Sequence, residues 1–268
     1  MNLRRRKYKI FQKMNSKEAK LEAFNRLLDI MDDLRKQCPW DQKQTFESLR
    51  NLTIEETYEL GDAILERDFS EIKNELGDLL LHIVFYAKLG SEENAFDIAD
   101  VTNDICEKLI HRHPHIYGSV AVVDQNEVKK NWEVLKLKEG KKSVLAGVPN
   151  ELPSLIKAHR LQEKAAGIGF DWANKKKVWN KFMEELTELD QALHSNKKDA
   201  IEDEFGDVLF SLINYARFIK VNPDTALERT NKKFMKRFQH IEVQAKKQGR
   251  SINDLSLKEM EAYWQEAK

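Results

Sequence analysis

One acidic pattern occurs twice in this chain of 268 residues, and it constrains the fold more than any other feature. Glu55-Glu56-x-x-Glu59 is followed by Glu75-x-x-Asp78, and Glu184-Glu185-x-x-Glu188 is followed by Glu204-x-x-Asp207, with every member displaced by the same 129 residues. Core positions keep that offset too: Leu60/Leu189, Ala63/Ala192, Ile72/Ile201, Gly77/Gly206, Leu80/Leu209, Tyr86/Tyr215 and Ala87/Ala216. A shared offset at both polar and apolar positions implies duplication of a whole structural module. Residues three or four apart share one helix face. Each copy is therefore expected to aim Glu-x-x-Glu from one helix and Glu-x-x-Asp from the next at a common point.

The predicted fold class is all-α, two tandem helical-bundle domains arising from internal duplication, which five prolines and ten glycines in a chain 34% charged also favour. Apolar periodicity predicts a helix over Ser16–Lys36, with Leu21, Phe24, Leu27, Leu28 and Met31 on one face. A turn is expected at Cys38-Pro39-Trp40-Asp41, where proline stops the helix. Two acidic helices follow, the first ending near Arg67 and the second starting near Phe69, and a further helix runs from about Phe96 to His111. The stretch Glu139–Ser154, with Gly140, Gly147, Pro149 and Pro153, reads as the linker. The expected organisation is a basic, disordered arm at 1–15, a first domain at 16–145 and a second, mainly catalytic domain at 146–268. In the second domain, helices are expected near 152–166, 175–194 and 198–220, with a turn at Gly167–Trp172.

Several function classes lose support. Lys+Arg and Asp+Glu are equal at 45 each, so no general attraction to nucleic acid or to an anionic membrane is expected. The longest apolar stretch, Leu79–Leu89, is interrupted by His82 and Lys88 and falls short of the roughly 20 residues a membrane span needs. Arg4, Arg5, Arg6, Lys7, Lys9 and Lys13 precede no apolar run with a cleavage site, so a secretory signal is not expected, and Met14 is a candidate natural start. Cys38 and Cys106 are too few for a disulfide framework or a zinc site, in keeping with a cytoplasmic protein.

Four carboxylates converging at the mouth of a bundle repel one another and call for a cation. None of the seven histidines has a glutamate three residues before it, which argues against a di-iron site of the Glu-x-x-His kind. All-oxygen ligation favours Mg²⁺, with Mn²⁺ a possible substitute, and Mg²⁺ held by carboxylates commonly completes its shell with substrate phosphates. The expected metal residues are Glu185, Glu188, Glu204 and Asp207, with a second, weaker set at Glu56, Glu59, Glu75 and Asp78. On the phosphate side the second half offers Asn231, Lys233 and Arg237 on one helix and Lys181 one turn before Glu185. The first half has Lys108 and Arg112, but Cys106 stands in place of Asn231 and Leu52 in place of Lys181. Trp40, Trp132, Trp172 and Trp264 are candidates to stack on a base, while His111, His113 and His115 read as structural. There is no P-loop, Gly-x-Ser-x-Gly or Cys-His nucleophile pair, so attack by metal-activated water is the expected chemistry.

These residues resemble the MazG family of all-α nucleoside triphosphate pyrophosphohydrolases in its tandem form. The resemblance rests on Cys38-Pro39-Trp40-Asp41 with Gln44-Thr45-Phe46, both acidic pairs, Arg112-His113-Pro114-His115, Gly169-Phe170-Asp171-Trp172 and Asn231-Lys232-Lys233-Phe234, and covers nearly all of the chain from Met14. It implies hydrolysis of nucleoside triphosphates to monophosphate and pyrophosphate, with Mg²⁺ and broad base tolerance. By the same resemblance Glu185, Glu188, Glu204 and Asp207 hold metal and Glu184 holds or deprotonates the water. Lys181, Lys233 and Arg237 bind phosphates, and Trp264 binds the nucleotide. A homodimer, with activity chiefly in the second domain, is also implied. The segment Asn196-Lys197-Lys198-Asp199-Ala200 departs from the family where relatives place a lysine beside the acidic cluster. The alternative from a different class is a non-catalytic helical dimer that binds nucleotides or a partner.

Overall fold

The computed structural model describes residues 15–120, 128, 143–195 and 197–268. Residues 1–14 of the expected basic arm, Met14 among them, and Trp132, Gly140 and Asn196 lie outside the described residues. Among those described, all regular structure is helical. The chain divides into two compact units, one up to Ser119 and one from Val120.

The first unit contains α1 (Lys17–Gln37), α2 (Phe46–Glu66), α3 (Phe69–Glu92), α4 (Ile98–Arg112) and the single turn α5 (Pro114–Tyr117). Polar side chains start these helices where the sequence changes from turn to apolar period: Ser16 accepts from Ala19 N, Thr45 and Ser48 form a capping box, and Asp68 accepts from the amides of Ser70 and Glu71. Arg67 takes a left-handed conformation (φ 57°) as the sole residue between α2 and the cap of α3, so the two acidic helices form a tight antiparallel hairpin. The turn after α1 is pinned by Arg35, which donates to the Asp41 and Gln44 carbonyls and pairs with Glu92 at 2.8 Å. Met31, Leu49, Val84, Phe85 and Leu89 form the buried core beneath the hairpin, with Phe24, Leu27, Leu28 and Leu52 packed around it. Gly90 gives the Phe96 ring its place, since a Cβ there would stand 2.7 Å from that ring and have to displace it.

The second unit contains α6 (Ser154–Gly167), α7 (Lys175–Ser195), α8 (Lys198–Phe218), α9 (Pro223–Lys247) and α10 (Leu257–Glu266). Helices α7 and α8 repeat the acidic hairpin and make the most extensive helix pairing of the unit. Part of the stretch expected to be linker is fastened to this unit, since Lys164 donates to the Val144 carbonyl at 3.3 Å and Lys157 to the Asn150 carbonyl. A separate small core joins α9 and α10 through Ile241, Ala245 and Leu255, with Ile252, Met260, Tyr263 and Trp264 against them. No helix of the described residues is long and apolar enough to cross a membrane.

Candidate active site

Each hairpin gathers carboxylates at one place, but three rather than four. In the second unit, oxygens of Glu185 and Glu188 on α7 and Glu204 on α8 all lie within 4.8 Å of one another. In the first unit the same is true of Glu56 on α2 and Glu75 and Asp78 on α3. Glu59 and Asp207 stand outside these close triplets and are exposed. Glu59 remains near enough to act electrostatically, because its charge helps to raise the Glu75 pKa. The donor set suits a hard divalent cation: all-oxygen, negatively charged and partly withdrawn from water. Glu75 and Glu185 are both buried.

The two clusters differ in how their repulsion is met. In the second unit Lys181 Nζ lies 2.7 Å from Glu184 Oε1 and 2.9 Å from Glu185 Oε1, and these carboxylates raise its pKa, Glu184 foremost. Glu188 shares a hydrogen bond with Glu185 that, with burial, raises the Glu188 pKa while Lys181 opposes the rise. In the first unit Leu52 occupies the lysine position and packs on the core. There, burial raises the pKa of Glu56 and Glu75, and the neighbouring carboxylates add to it. The protein thus supplies one internal cation to the second cluster at the position where the first has a leucine.

Of the expected phosphate-side residues, Asn231, Lys233 and Arg237 fall on α9, which packs against α6, α8 and α10, whereas Lys181 lies on α7 and is taken up by Glu184 and Glu185. Asn231 donates to Glu228 at 3.1 Å, Lys233 is exposed, and Arg237 is half-buried with its guanidinium 5.4 Å above the Trp264 ring. Phe234 meets the same ring edge-on at 5.1 Å. Trp264 alone among the described tryptophans stacks on one of the expected phosphate-binding cations, while Trp40 and Trp172 are exposed. His113 is used locally, its Nδ1 lying 2.6 Å from the Leu109 carbonyl, and no histidine joins a metal-competent cluster of described residues.

Two features were missed from sequence. Arg217 makes a two-armed ion pair with Asp171, at 2.7 and 2.5 Å, that ties the Gly169–Trp172 turn to the end of α8. The available signal was a cation at the same repeat position in both halves, Lys88 and Arg217; Lys88 instead pairs with Asp32 at 2.7 Å. The second is an ion pair between Arg250 and Glu259, 2.7 Å apart, between the end of α9 and the start of α10.

Fold and site define a class: a duplicated all-α protein in which each helical hairpin assembles a cation-competent carboxylate cluster, with an arginine-on-tryptophan surface in the second unit. The family model described as "MazG nucleotide pyrophosphohydrolase domain" matches twice, over residues 44–117 and 174–242, and the chain belongs to the MazG family. It is 42% identical over 257 residues to the nucleoside triphosphate pyrophosphohydrolase/pyrophosphatase MazG of Thermotoga maritima, an alignment covering 94% of this chain and 98% of that protein. It is 38% identical over 259 residues to the nucleoside triphosphate pyrophosphohydrolase of Escherichia coli K12, covering 92% of this chain and 98% of that protein. The Bacillus subtilis protein YabN is 44% identical over 263 residues, which is 94% of this chain and 53% of YabN.

Proposed function

We propose that this protein is an enzyme that hydrolyses nucleoside triphosphates to the monophosphate and pyrophosphate, requires Mg²⁺, accepts several bases, and works chiefly through its second unit. The observation that carries the reading is the Glu185–Glu188–Glu204 triplet within 4.8 Å, bordered by Lys181. The names of the Thermotoga and E. coli relatives support the reaction class. Mg²⁺ would be held by Glu185, Glu188 and Glu204, with Asp207 one turn beyond Glu204 on the same helix, and when bound it supplies charge neutralisation to the phosphates and acidity to a water. Mn²⁺ offers the same hard, oxygen-seeking chemistry.

The chain's own residues do the rest. Lys181 pairs with Glu184 and Glu185 and offsets part of the repulsion among the crowded carboxylates. Glu184 is exposed beside that cluster and takes the proton from water as its oxygen bonds to phosphorus. Lys233 and Arg237 neutralise the phosphate oxygens as pyrophosphate leaves, and Trp264 lies against the nucleotide. One water is consumed, one phosphoanhydride bond breaks, and both products leave as phosphates. A homodimer belongs to the same reading. Support comes from apolar side chains exposed at equivalent positions of both hairpins, Leu76/Phe205, Leu80/Leu209 and Ile83/Leu212.

Incubating the protein with ATP and Mg²⁺ and separating the products tests the reaction. AMP and pyrophosphate in equal amounts, abolished by a chelator, are expected. ADP with orthophosphate would refute the pyrophosphohydrolase reading, and no turnover with any of a panel of triphosphates would leave the non-catalytic alternative in place.

A further inference from the structure

The last helix of the chain lies beyond residue 242, where the second family match ends, yet it carries Trp264. Its attachment is local, part apolar through the small core and part polar through the turn before it. Helix α9 ends at Lys247, Gly249 beyond its cap is left-handed (φ 67°), and the Arg250 amide turns back to the Ala245 carbonyl at 3.1 Å, which reverses the chain. Arg250 then spans the turn. Its Nη1 donates to Glu259 Oε1 at 2.7 Å, and its Nη2 donates to the Asp254 carbonyl. Glu259 sits in the first turn of α10 and also accepts from the Ser256 amide and hydroxyl, each at 2.8 Å, as the far half of a capping box. Arg250 and these Ser256 hydrogen bonds hold the Glu259 carboxyl down at about 2, so the pair is charged at any working pH.

Trp264 follows Glu259 by five residues on a helix of ten. Its ring is the one side chain of α10 that lies under the Arg237 guanidinium of α9, at 5.4 Å, and it meets Phe234 edge-on at 5.1 Å. The placement of the Arg237 guanidinium thus depends on where α10 holds its tryptophan. That placement depends in turn on the small core and on the Arg250–Glu259 link. We infer that Arg250 and Glu259 are positioning residues for nucleotide binding: their ion pair fixes α10 so that Trp264 presents Arg237 to the phosphates. This rests on the proposed function and adds to it a control point outside the carboxylate cluster. Holding the cation and ring in place before substrate arrives removes an ordering cost at binding, so the effect belongs in KM rather than in kcat.

The experiment compares Arg250→Ala and Glu259→Gln in the full chain, with Trp264→Ala, Arg237→Ala and the double variant Arg250→Ala/Trp264→Ala. Glutamine at 259 keeps a capping-box acceptor while losing the charge, so it separates the ion pair from the cap. Steady-state kinetics with Mg²⁺ and ATP give KM and kcat, and the Trp264 contribution to fluorescence comes from subtracting the Trp264→Ala spectrum. Circular dichroism reports whether each variant is folded. Expected are a KM increase of about five- to tenfold in both single variants with kcat within about twofold. A red-shifted, more quenchable Trp264 emission without nucleotide should accompany it, and Arg250→Ala should add nothing on the Trp264→Ala background. Unchanged Trp264 emission, an additive double variant, or a loss in kcat at constant KM would overturn the inference. If Arg237→Ala and Trp264→Ala themselves leave KM unchanged, the nucleotide-binding assignment falls, and the inference with it. If they raise KM but Arg250→Ala and Glu259→Gln do not, the positioning role alone is wrong.

Discussion

Replacing Glu56 by glutamine should raise the stability of the metal-free protein, whereas the same change at its repeat counterpart Glu185 should not. In the first unit the oxygens of Glu56, Glu75 and Asp78 lie within 4.8 Å of one another, and the position that holds the compensating lysine in the second unit is here the apolar Leu52. Two like charges at 4.8 Å repel by about 0.9 kcal/mol at the dielectric constant of water and about 3.5 kcal/mol at an effective value near 20. Glu56 is half-buried, so removing its charge should relieve about 1–3 kcal/mol. Glu185 faces the same repulsion but also holds Lys181 at 2.9 Å, and glutamine forfeits that attraction, leaving a change of about zero or a small loss. The pH dependence carries the same sign. Glu56 has a folded pKa raised by burial and by Asp78, so its favourable contribution is complete below the unfolded value and is lost as pH rises through the folded one. Thermal unfolding in EDTA at pH 7.5 reads the difference, since 1 kcal/mol moves the midpoint of a domain of about 100 residues by roughly 4 °C. A lower midpoint for Glu56→Gln, or equal shifts in the two variants, would refute the electrostatic reasoning.

Turnover should separate the halves: Glu56→Gln/Glu59→Gln is expected to keep activity within about twofold, while Glu185→Gln/Glu188→Gln should lose at least about a hundredfold. Equal halving, measured as pyrophosphate release, would contradict a chiefly catalytic second unit. Asp171→Asn should cost about 1–3 kcal/mol at neutral pH, because it leaves Arg217 with the neutral Asn214 oxygen but no charged partner, and its Nε is already buried without one. The Arg217 hydrogen bonds hold the Asp171 pKa low, so this stability is present above the unfolded value and disappears as pH falls through the folded one; urea midpoints of wild type and variant should converge in acid. Gly206→Ala should stabilise helix α8 by up to about 1 kcal/mol, since alanine is the better helix former and its Cβ would meet nothing within 4 Å. A lower unfolding midpoint would mean that the glycine is required by a contact outside the chain.

The duplicated hairpins were legible because two independent periodicities agreed, the acidic spacing and the apolar one, and the helix bounds observed differ from those expected by only a residue or two. Which carboxylates meet was less legible. Helical spacing puts Glu56 and Glu59, or Glu204 and Asp207, on a common face, but the distance across the hairpin depends on how the two helices pack, and Glu59 and Asp207 fall outside the close sets. The pair Arg217–Asp171 spans 46 residues, so no local pattern announces it. Arg250 and Glu259 are nine apart across a turn whose shape is set by Gly249 and a three-residue 3₁₀ segment, and spacing alone does not bring them together.

The asymmetry between the copies follows from single substitutions on a common frame. At one position, leucine or lysine decides whether the carboxylates lean on the core or on an internal cation. Leu52 joins the apolar cluster around Met31 and Phe85, which ties α2 to its unit but leaves Glu56 and Glu75 with raised pKa values. Lys181 gives up that packing and opposes the rise in the Glu188 pKa, which favours the charged state that binds a metal. Stability of the apo fold and readiness for chemistry are thus set against each other at residue 52/181. Exchanging the two residues should exchange the metal-free behaviour of the two clusters: Leu52→Lys should bring the carboxylates of the first back toward ordinary pKa values, and Lys181→Leu should raise those of the second. Titration of the side-chain carboxyls by NMR in EDTA measures both shifts, and movement of either in the opposite direction would show that the cation is not what distinguishes them.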